Sequence, residues 1–292
     1  MSAAPKLCLV TGATSGIGLA TARRLAAMGA SVVVVGRSPA TGRAAVERLR
    51  RETGSRDLDW LSADFADLAQ VHELAAELQR RHGSLDVLVN NAGATFRDRR
   101  LTRDGVEMTF AVNHLAPFTL TNLLLPALRA GAASRIINVA SVAHERGRLD
   151  LDDVPFSHGY RPFQAYARSK LCTLLFTYEL ARRLNGTNVT VNAVDPGLVR
   201  TTFGSRNGPL RTLAWHLIHL RYRRASVGPA AGADTIVHLA TAPELATTTG
   251  RYFAKRQPVT SSPDSRDEAL AKRLWRASEE LAGLSTPAQP AS

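Results

Sequence analysis

The sequence predicts one α/β domain, a doubly wound parallel sheet of about seven strands with helices on both faces. Three observations carry that reading. Short β-branched runs alternate with longer segments of helical periodicity. Several runs are almost wholly apolar, as strands covered on both faces require. The first run empties directly into a glycine-rich turn that opens a helix.

The strand candidates in order are Leu7–Val10, Ser31–Val35, Leu58–Ala63, Leu85–Asn90, Arg135–Val139 and Val189–Val194. The helical candidates between and after them are Ile17–Met28, Pro39–Arg51, Leu68–His82, Gly105–Arg129, Phe163–Leu184 and Pro229–Ala240. Strand followed by helix, repeated, needs crossover connections and hence parallel pairing. Two connections are too long to be turns: Ala143–Arg161 after the fifth strand and Leu198–Gly228 after the sixth. Ligands bind outside the C-terminal ends of such strands, so both insertions should border the site.

Composition narrows the function classes. The chain has 292 residues, 45% of them hydrophobic, enough for a large core without staples. Residues 1–284 read as one catalytic domain and 285–292, rich in Pro, Ala, Ser and Thr, as a flexible tail. Two cysteines, Cys8 and Cys172, cannot make a disulfide framework and read as reduced thiols. Collagen-like, disordered and zinc-cluster proteins are excluded. Neither a signal-length apolar stretch nor a run of 18 apolar residues occurs, so a cytoplasmic protein without a membrane span is expected. The net charge is +12, and only four of the 37 cations are lysine. Basic charge favours anionic partners. The arginines are spread along the chain, however, and no nucleic-acid recognition pattern is present.

Thr11-Gly-Ala-Thr-Ser-Gly-Ile-Gly18 follows the first strand. Gly12 permits the tight turn, Gly16 lets backbone approach a pyrophosphate, and Gly18 allows close packing of helix on strand. The helix N-terminus then offers free N–H groups to the anion. From this GxxxGxG spacing onward the sequence resembles the short-chain dehydrogenase/reductase family. Asn90-Asn-Ala-Gly93 closes the fourth strand, Asn113 stands in a helix, Ser141 ends the fifth strand, Tyr166-Ala-Arg-Ser-Lys170 gives a YxxxK pair, and Asp195-Pro-Gly197 closes the sixth strand. Asn113-His-Leu-Ala-Pro-Phe118, Val194–Thr201, Thr249-Gly-Arg-Tyr-Phe253 and Ala271-Lys-Arg-Leu-Trp-Arg276 resemble the retinol dehydrogenase-like and WW-domain oxidoreductase branch.

The resemblance implies a Rossmann-like fold and a nicotinamide cofactor. Binding would fall to Gly12, Thr14, Ser15, Gly16, Ile17 and Gly18 in the first turn, with Asn91, Ala92 and Gly93 after the fourth strand. Pro196, Gly197, Val199 and Thr201 would serve after the sixth, joined by Tyr166 and Lys170. Asp64, closing the third strand, would touch adenine, the lesser alternative being a cap on the following helix. Asn113, Ser141, Tyr166 and Lys170 would be catalytic. Carbonyl reduction needs a proton donor at oxygen, and Lys170, four residues after Tyr166, shares its helix face. A nearby ammonium, with the oxidised nicotinamide's positive charge, should favour the phenolate, letting Tyr166 act as acid and base. Ser141 would hydrogen-bond the substrate oxygen. By resemblance, Lys170 would also hold the nicotinamide ribose, and Asn113 would position a water that relays protons to Lys170.

At the second strand's end, Val35-Gly-Arg-Ser38 offers no carboxylate for a ribose 2′-OH, while Arg37 suits a 2′-phosphate. NADP(H) is the expected cofactor. Within Leu198–Gly228, Leu210, Leu213, Leu217 and Leu220 recur at helical spacing. That helix reads as a lid over a lipophilic carbonyl or alcohol substrate. Flanking Arg206, Arg211, Arg221, Arg223 and Arg224 leave contact with a lipid surface open. His216 and His219 lack a third ligand, so no metal is expected. Homodimer pairing through the helices holding Asn113 and Tyr166 is left open, as is a cofactor-sensing protein of weak activity.

Overall fold

The computed structural model describes residues 6–154, 156–199 and 227–284. The expected lid helix Leu210–Arg224, Thr201, His216, His219 and the tail lie outside the described residues. Eight strands form one sheet in the order β3-β2-β1-β4-β5-β6-β7-β8. The six expected strands are all present: β1 (Leu7–Thr11), β2 (Ser31–Gly36), β3 (Leu58–Ser62), β4 (Val87–Asn90), β5 (Ser134–Val139) and β6 (Val189–Asp195). These six and β7 (Arg251–Ala254) pair in parallel, and β8 (Gln257–Val259) turns back antiparallel on β7.

The expected count of about seven strands is therefore one short, for a physical reason. β7 and β8 are joined by Lys255 and Arg256 alone, at φ +49° and +63°. Two successive left-handed residues make the turn that suits strand twist, a turn usually written Asn-Gly. Lys-Arg gives no such signal. Pro258 is tolerated because β8 is an edge strand.

The apolar runs are explained by burial on both faces. On one face Leu9, Val33, Val35, Leu88, Ile136 and Val191 pack under α3 (Leu68–Arg81), α5 (Ala116–Ala130) and α6 (Pro162–Arg183). On the other, Val10, Val32, Val34, Val89, Ile137 and Val194 meet α1 (Gly16–Ala27), α2 (Pro39–Thr53) and the helix of residues 234–241. That helix was expected as one piece over Pro229–Ala240. It is broken at Ala233 into α7 (Pro229–Gly232) and α8 (Asp234–Thr241).

The expected helix Gly105–Arg129 starts later, as α4 (Met108–Phe110) capped by Glu107, whose carboxylate accepts the Thr109 and Phe110 amides. It then passes through a π-helical turn, Ala111–Leu115, into α5. Single π turns recur at functional sites, and this one carries Asn113. Among the described residues no helix is long and apolar enough to cross a membrane. Cys8 and Cys172 are buried and unpaired, and burial pushes both thiols up to about 12.

A C-terminal helix, α9 (Glu268–Leu281), lies against α5 and α6. Asp267 caps it through the Leu270 amide. Trp275 meets Phe118 edge-on at 4.9 Å and lies 5.9 Å from Phe176. Beside them His114 is wholly buried, 2.8 Å from the Ser278 hydroxyl. That hydroxyl already donates to the Leu274 carbonyl, so His114 Nε2 is the donor. Thus α9 covers, in the same chain, the helices through which pairing was considered.

Burial holds His114 down to about 3, against 6.5 unfolded. Between those values the unfolded chain binds the extra proton, so stability contributed here is full above pH 6.5 and falls as pH drops toward 3. His114→Gln should flatten that slope relative to wild type. Urea unfolding of both proteins from pH 4 to 7 checks it; parallel curves would contradict a buried neutral imidazole.

Candidate active site

The segments holding Thr11–Gly18, Asn91–Gly93, Ser141 and Pro196–Gly197 lie at the C-terminal ends of β1, β4, β5 and β6. The first turn is shaped by contact. Gly12 sits at φ +64°, and a Cβ there would lie 2.9 Å from Ala92 Cα. At Gly18 a Cβ would meet the Gly12 carbonyl oxygen and Asn91 Nδ2, both at 2.5 Å. Ser15 starts α1 without a side-chain cap, and no acidic residue stands in the first turn. The amides of that turn are free for an anion. Thr14 and Gly16 lie in the same turn, and Ile17 reaches toward Val199 and Gly232, which come from the segments around the expected lid.

Thr11 ties this turn to the fourth strand. Its hydroxyl donates to the Val89 carbonyl at 3.2 Å and accepts the Asn91 and Ala92 amides at 3.0 Å each. Asn91 returns a bond from Nδ2 to the Thr11 carbonyl at 2.8 Å. Gly93 follows in the same irregular segment. Asp64 stands at the end of β3 with its carboxylate on the Ala66 amide. The cap of α3 is Asp67, bonded to Ala69, so the capping reading of Asp64 falls.

Ser141 lies two residues beyond β5 rather than in it, and starts a 3-10 turn over Val142–Arg146. Its Oγ accepts the Ala143 amide at 3.2 Å and also shares a hydrogen bond with the Tyr166 phenol. Tyr166 and Lys170 occupy the first turns of α6, with Nζ 5.7 Å from the Tyr166 ring centre. Among the chain's own groups, burial rather than Lys170 governs the phenol. Lys170 donates to the Val139 carbonyl at 2.8 Å, and desolvation dominates both groups. Burial pushes Tyr166 up to about 12, offset in part by the Ser141 hydrogen bond, and brings Lys170 down to about 8.

The Asn113 side chain has a structural task. Its Oδ1 accepts the Ala94 amide at 2.7 Å, and its Nδ2 donates to the Ala94 carbonyl and to Ser169 Oγ, each at 2.9 Å. The amide side chain is fully engaged in holding the segment after β4 against α6. Its carbonyl, by contrast, has no α-helical donor, because the residue four positions on is Pro117. Beside it lies a cavity of about 10 Å³ lined by Asn90, Asn113, His114, Asn138, Val139 and Thr173, among others. That is the size of a single water. Asn90 Oδ1 and His114 Nδ1, both buried, have no protein partner.

Two residues at the site were not singled out from the sequence. His144 is buried; its Nε2 accepts the Ser262 amide at 3.1 Å, so Nδ1 holds the proton and donates to the Ser141 carbonyl at 2.8 Å. Asp195 accepts the amides of Gly197 and Val142, bridging the turn that carries Pro196 and Gly197 to the Ser141 segment. Burial raises its carboxyl, and those amides with His144 and Lys170 restrain the rise. The only sequence signal for either is its place, three residues after Ser141 and one before Pro196.

Arg168 donates to the Asp153 and Val154 carbonyls, stacks 4.3 Å from the Phe156 ring, and sits 3.6 Å from Glu107. Tyr160 donates to the Phe96 carbonyl at 3.0 Å. The first insertion is therefore anchored. Val142 and Phe163, next to Ser141 and three residues before Tyr166, are 55% and 48% exposed and make an apolar rim.

The depressed Lys170 pKa has a testable sign. Between about 8 and 10.5 the unfolded state binds a proton that the folded state has lost, so wild-type stability rises with pH across that window. Lys170→Met should lack this rise and should be no less stable than wild type at pH 7. Chemical denaturation at pH 7 and pH 10 decides it, and identical pH slopes would refute the buried-ammonium cost.

Comparison with known proteins agrees with this geometry. Residues 6–209 match the family model described as short chain dehydrogenase. Retinol dehydrogenase 13 of Homo sapiens is 39% identical over 292 residues, covering 97% of this chain and 86% of its own. A solved structure of an uncharacterized protein from Mycobacterium Paratuberculosis is similar at a TM-score of 0.76 and 33% identity, covering 95% of this chain and 93% of that one. An actinorhodin polyketide ketoreductase solved with NADPH is similar at a TM-score of 0.68 and 29% identity, over 87% and 97% of the two chains.

Proposed function

The chain belongs to the short-chain dehydrogenase/reductase family of nicotinamide-dependent oxidoreductases acting on alcohol or carbonyl groups, and from that premise we propose a finer reading. It interconverts a lipophilic aldehyde or ketone, retinal-like in character, and its alcohol, using NADP(H). The observation that carries this is Ser141 and Tyr166 sharing a hydrogen bond beside the apolar rim of Val142 and Phe163.

The residues present fit a dinucleotide. The Gly12 turn leaves no room for a side chain against Ala92, and the uncapped start of α1 offers amides to a pyrophosphate. When bound, the cofactor supplies a hydride to the carbonyl carbon or accepts one from the alcohol carbon. The chain's own groups handle the oxygen. Ser141 Oγ donates a hydrogen bond to it, and Tyr166 gives its proton as charge develops there. A phenol held near 12 remains protonated until a more basic oxygen forms, which suits an acid in the reductive direction. Lys170, held near 8, can return a proton to the phenolate. A water in the small cavity, accepted by the Asn113 carbonyl, would extend that relay toward Val139 and Lys170. His144 and Asp195 orient Ser141 and the Pro196–Gly197 turn.

The NADP(H) assignment rests on the end of β2. Arg37 is exposed, and no carboxylate lies within ion-pair distance of it among the described residues. Ser62 Oγ donates to its carbonyl at 3.0 Å, fixing the backbone there. Arg43 is drawn toward the Trp60 ring, 5.5 Å away, and is the weaker candidate for a 2′-phosphate. Gly36 leaves no space for an acidic residue, since a Cβ there would fall 2.4 Å from Thr14 Cγ2.

Turnover of NADPH with retinal, long-chain aldehydes and ketones tests the activity. Tyr166→Phe should cost at least about 100-fold in rate with NADPH binding retained. A variant keeping a tenth of the rate would remove Tyr166 as the acid, and NADPH binding without turnover of any carbonyl would favour a cofactor-sensing protein. Arg37→Ala should weaken NADPH binding by about 1.5–3 kcal/mol and leave NADH nearly unchanged. Equal losses for both cofactors would make Arg37 a bystander.

A further inference from the structure

A second concavity lies between the C-terminal half of α6 and the β7–β8 hairpin. Its volume is about 600 Å³, within the range of small-molecule sites, and neither Ser141, Tyr166 nor Lys170 lines it. Its walls hold Arg182, Arg251 and Arg266, the phenols of Tyr178 and Tyr252, and apolar Val259, with a single carboxylate, Glu268.

The three cations differ in how far they are already satisfied. Arg182 is held by Glu179 at 2.9 Å and approaches Glu268 at 3.9 Å. Arg251 and Arg266 are exposed, and neither has a carboxylate within ion-pair distance among the described residues. Both act on the Tyr178 hydroxyl, whose proton they make easier to lose against the opposing effect of burial. They therefore share one field inside the groove rather than pointing to separate solvent.

The phenols form the groove's inner wall. Tyr178 is bonded to Ser261 Oγ at 2.7 Å. Tyr252 is only 5% exposed, packs with Leu174 and Ala193, and stands edge-on to His144 at 5.3 Å. The two guanidinium groups without a carboxylate among the described residues, Arg251 and Arg266, line the same groove, and Arg presents the fork that matches an oxyanion. Val259, 41% exposed, and the Tyr178 ring give an apolar body somewhere to rest.

We propose that this groove is a second ligand site, separate from the catalytic cleft, that takes a small organic oxyanion, a phosphate or carboxylate head on an apolar body. Arg251 and Arg266 hold the head, and Val259 with the Tyr178 ring takes the apolar body.

The test uses the full-length protein saturated with NADPH, so that the cofactor cleft is closed to added phosphate. Phenyl phosphate, benzoate and inorganic phosphate are titrated in turn by calorimetry at low ionic strength. Phenyl phosphate or benzoate should bind at least about tenfold more tightly than inorganic phosphate, and which of the two binds names the head group. Arg251→Ser with Arg266→Ser should weaken that binding at least about tenfold. Arg37→Ala should leave it unchanged. Thermal unfolding of the variants without ligand, expected within about 2 °C of wild type for such surface changes, separates a lost site from a lost fold. No heat with either organic anion at about 10 mM, or equal affinity in the double Arg variant, would overturn the proposal.

Discussion

One hydroxyl holds the site together. Between β1 and β4 the strand order reverses direction, and two chain segments about 80 residues apart must be kept in register there. Thr11 does this with three hydrogen bonds to Val89, Asn91 and Ala92, and Asn91 returns a fourth. The glycine turn leans on that junction, since Gly12 and Gly18 have space only because Ala92 and Asn91 lie flush against them. The uncapped start of α1 and the segment after β4 are joined through it. In a sheet buried on both faces, the C-terminal strand ends are the place where polar chemistry can meet solvent.

The second constraint is the charge sunk in α6. Lys170 is 5% exposed and donates to a neutral carbonyl, Val139. An ammonium in that place lowers its own pKa and destabilises the fold at neutral pH, the pattern expected where a site is tuned for reaction at the expense of stability. Its neighbours offset only part of this cost. Asp195 is close enough to act on both Lys170 and Tyr166, but it is itself desolvated and spends its oxygens on the Gly197 and Val142 amides. Tyr166 is consequently a stronger base and weaker acid in the bare protein than the pairing with Lys170 suggests.

Around this centre the chain immobilises its walls with side-chain hydrogen bonds. The Asn113 side chain is consumed by Ala94 and Ser169, and Arg168 by the first insertion and Glu107. His144, neutral and bonded at both nitrogens, fixes the Ser141 carbonyl to Ser262. Each bond joins segments distant in the chain, so the cleft is rigid where an oxygen atom must be met and apolar at its rim.

What the sequence determined by itself is local. Six strands, the glycine turn, the uncapped start of α1 and the spacing of Tyr166 to Lys170 depend on neighbours within a few residues, and periodicity and glycine placement report them directly. The cap of α3 fell to Asp67 rather than Asp64, a three-residue shift that pattern cannot resolve. What the tertiary structure decided is long-range. The β7–β8 hairpin turns on Lys255 and Arg256, whose left-handed conformation no local preference announces. The link from His144 to Ser262 spans 118 residues, and that from His114 to Ser278 spans 164. The pKa of Tyr166 depends on how deeply α6 is buried, not on the residue one turn away. Spacing along the chain names the groups that could meet; the desolvation and hydrogen bonds of the folded sheet decide which protons they hold.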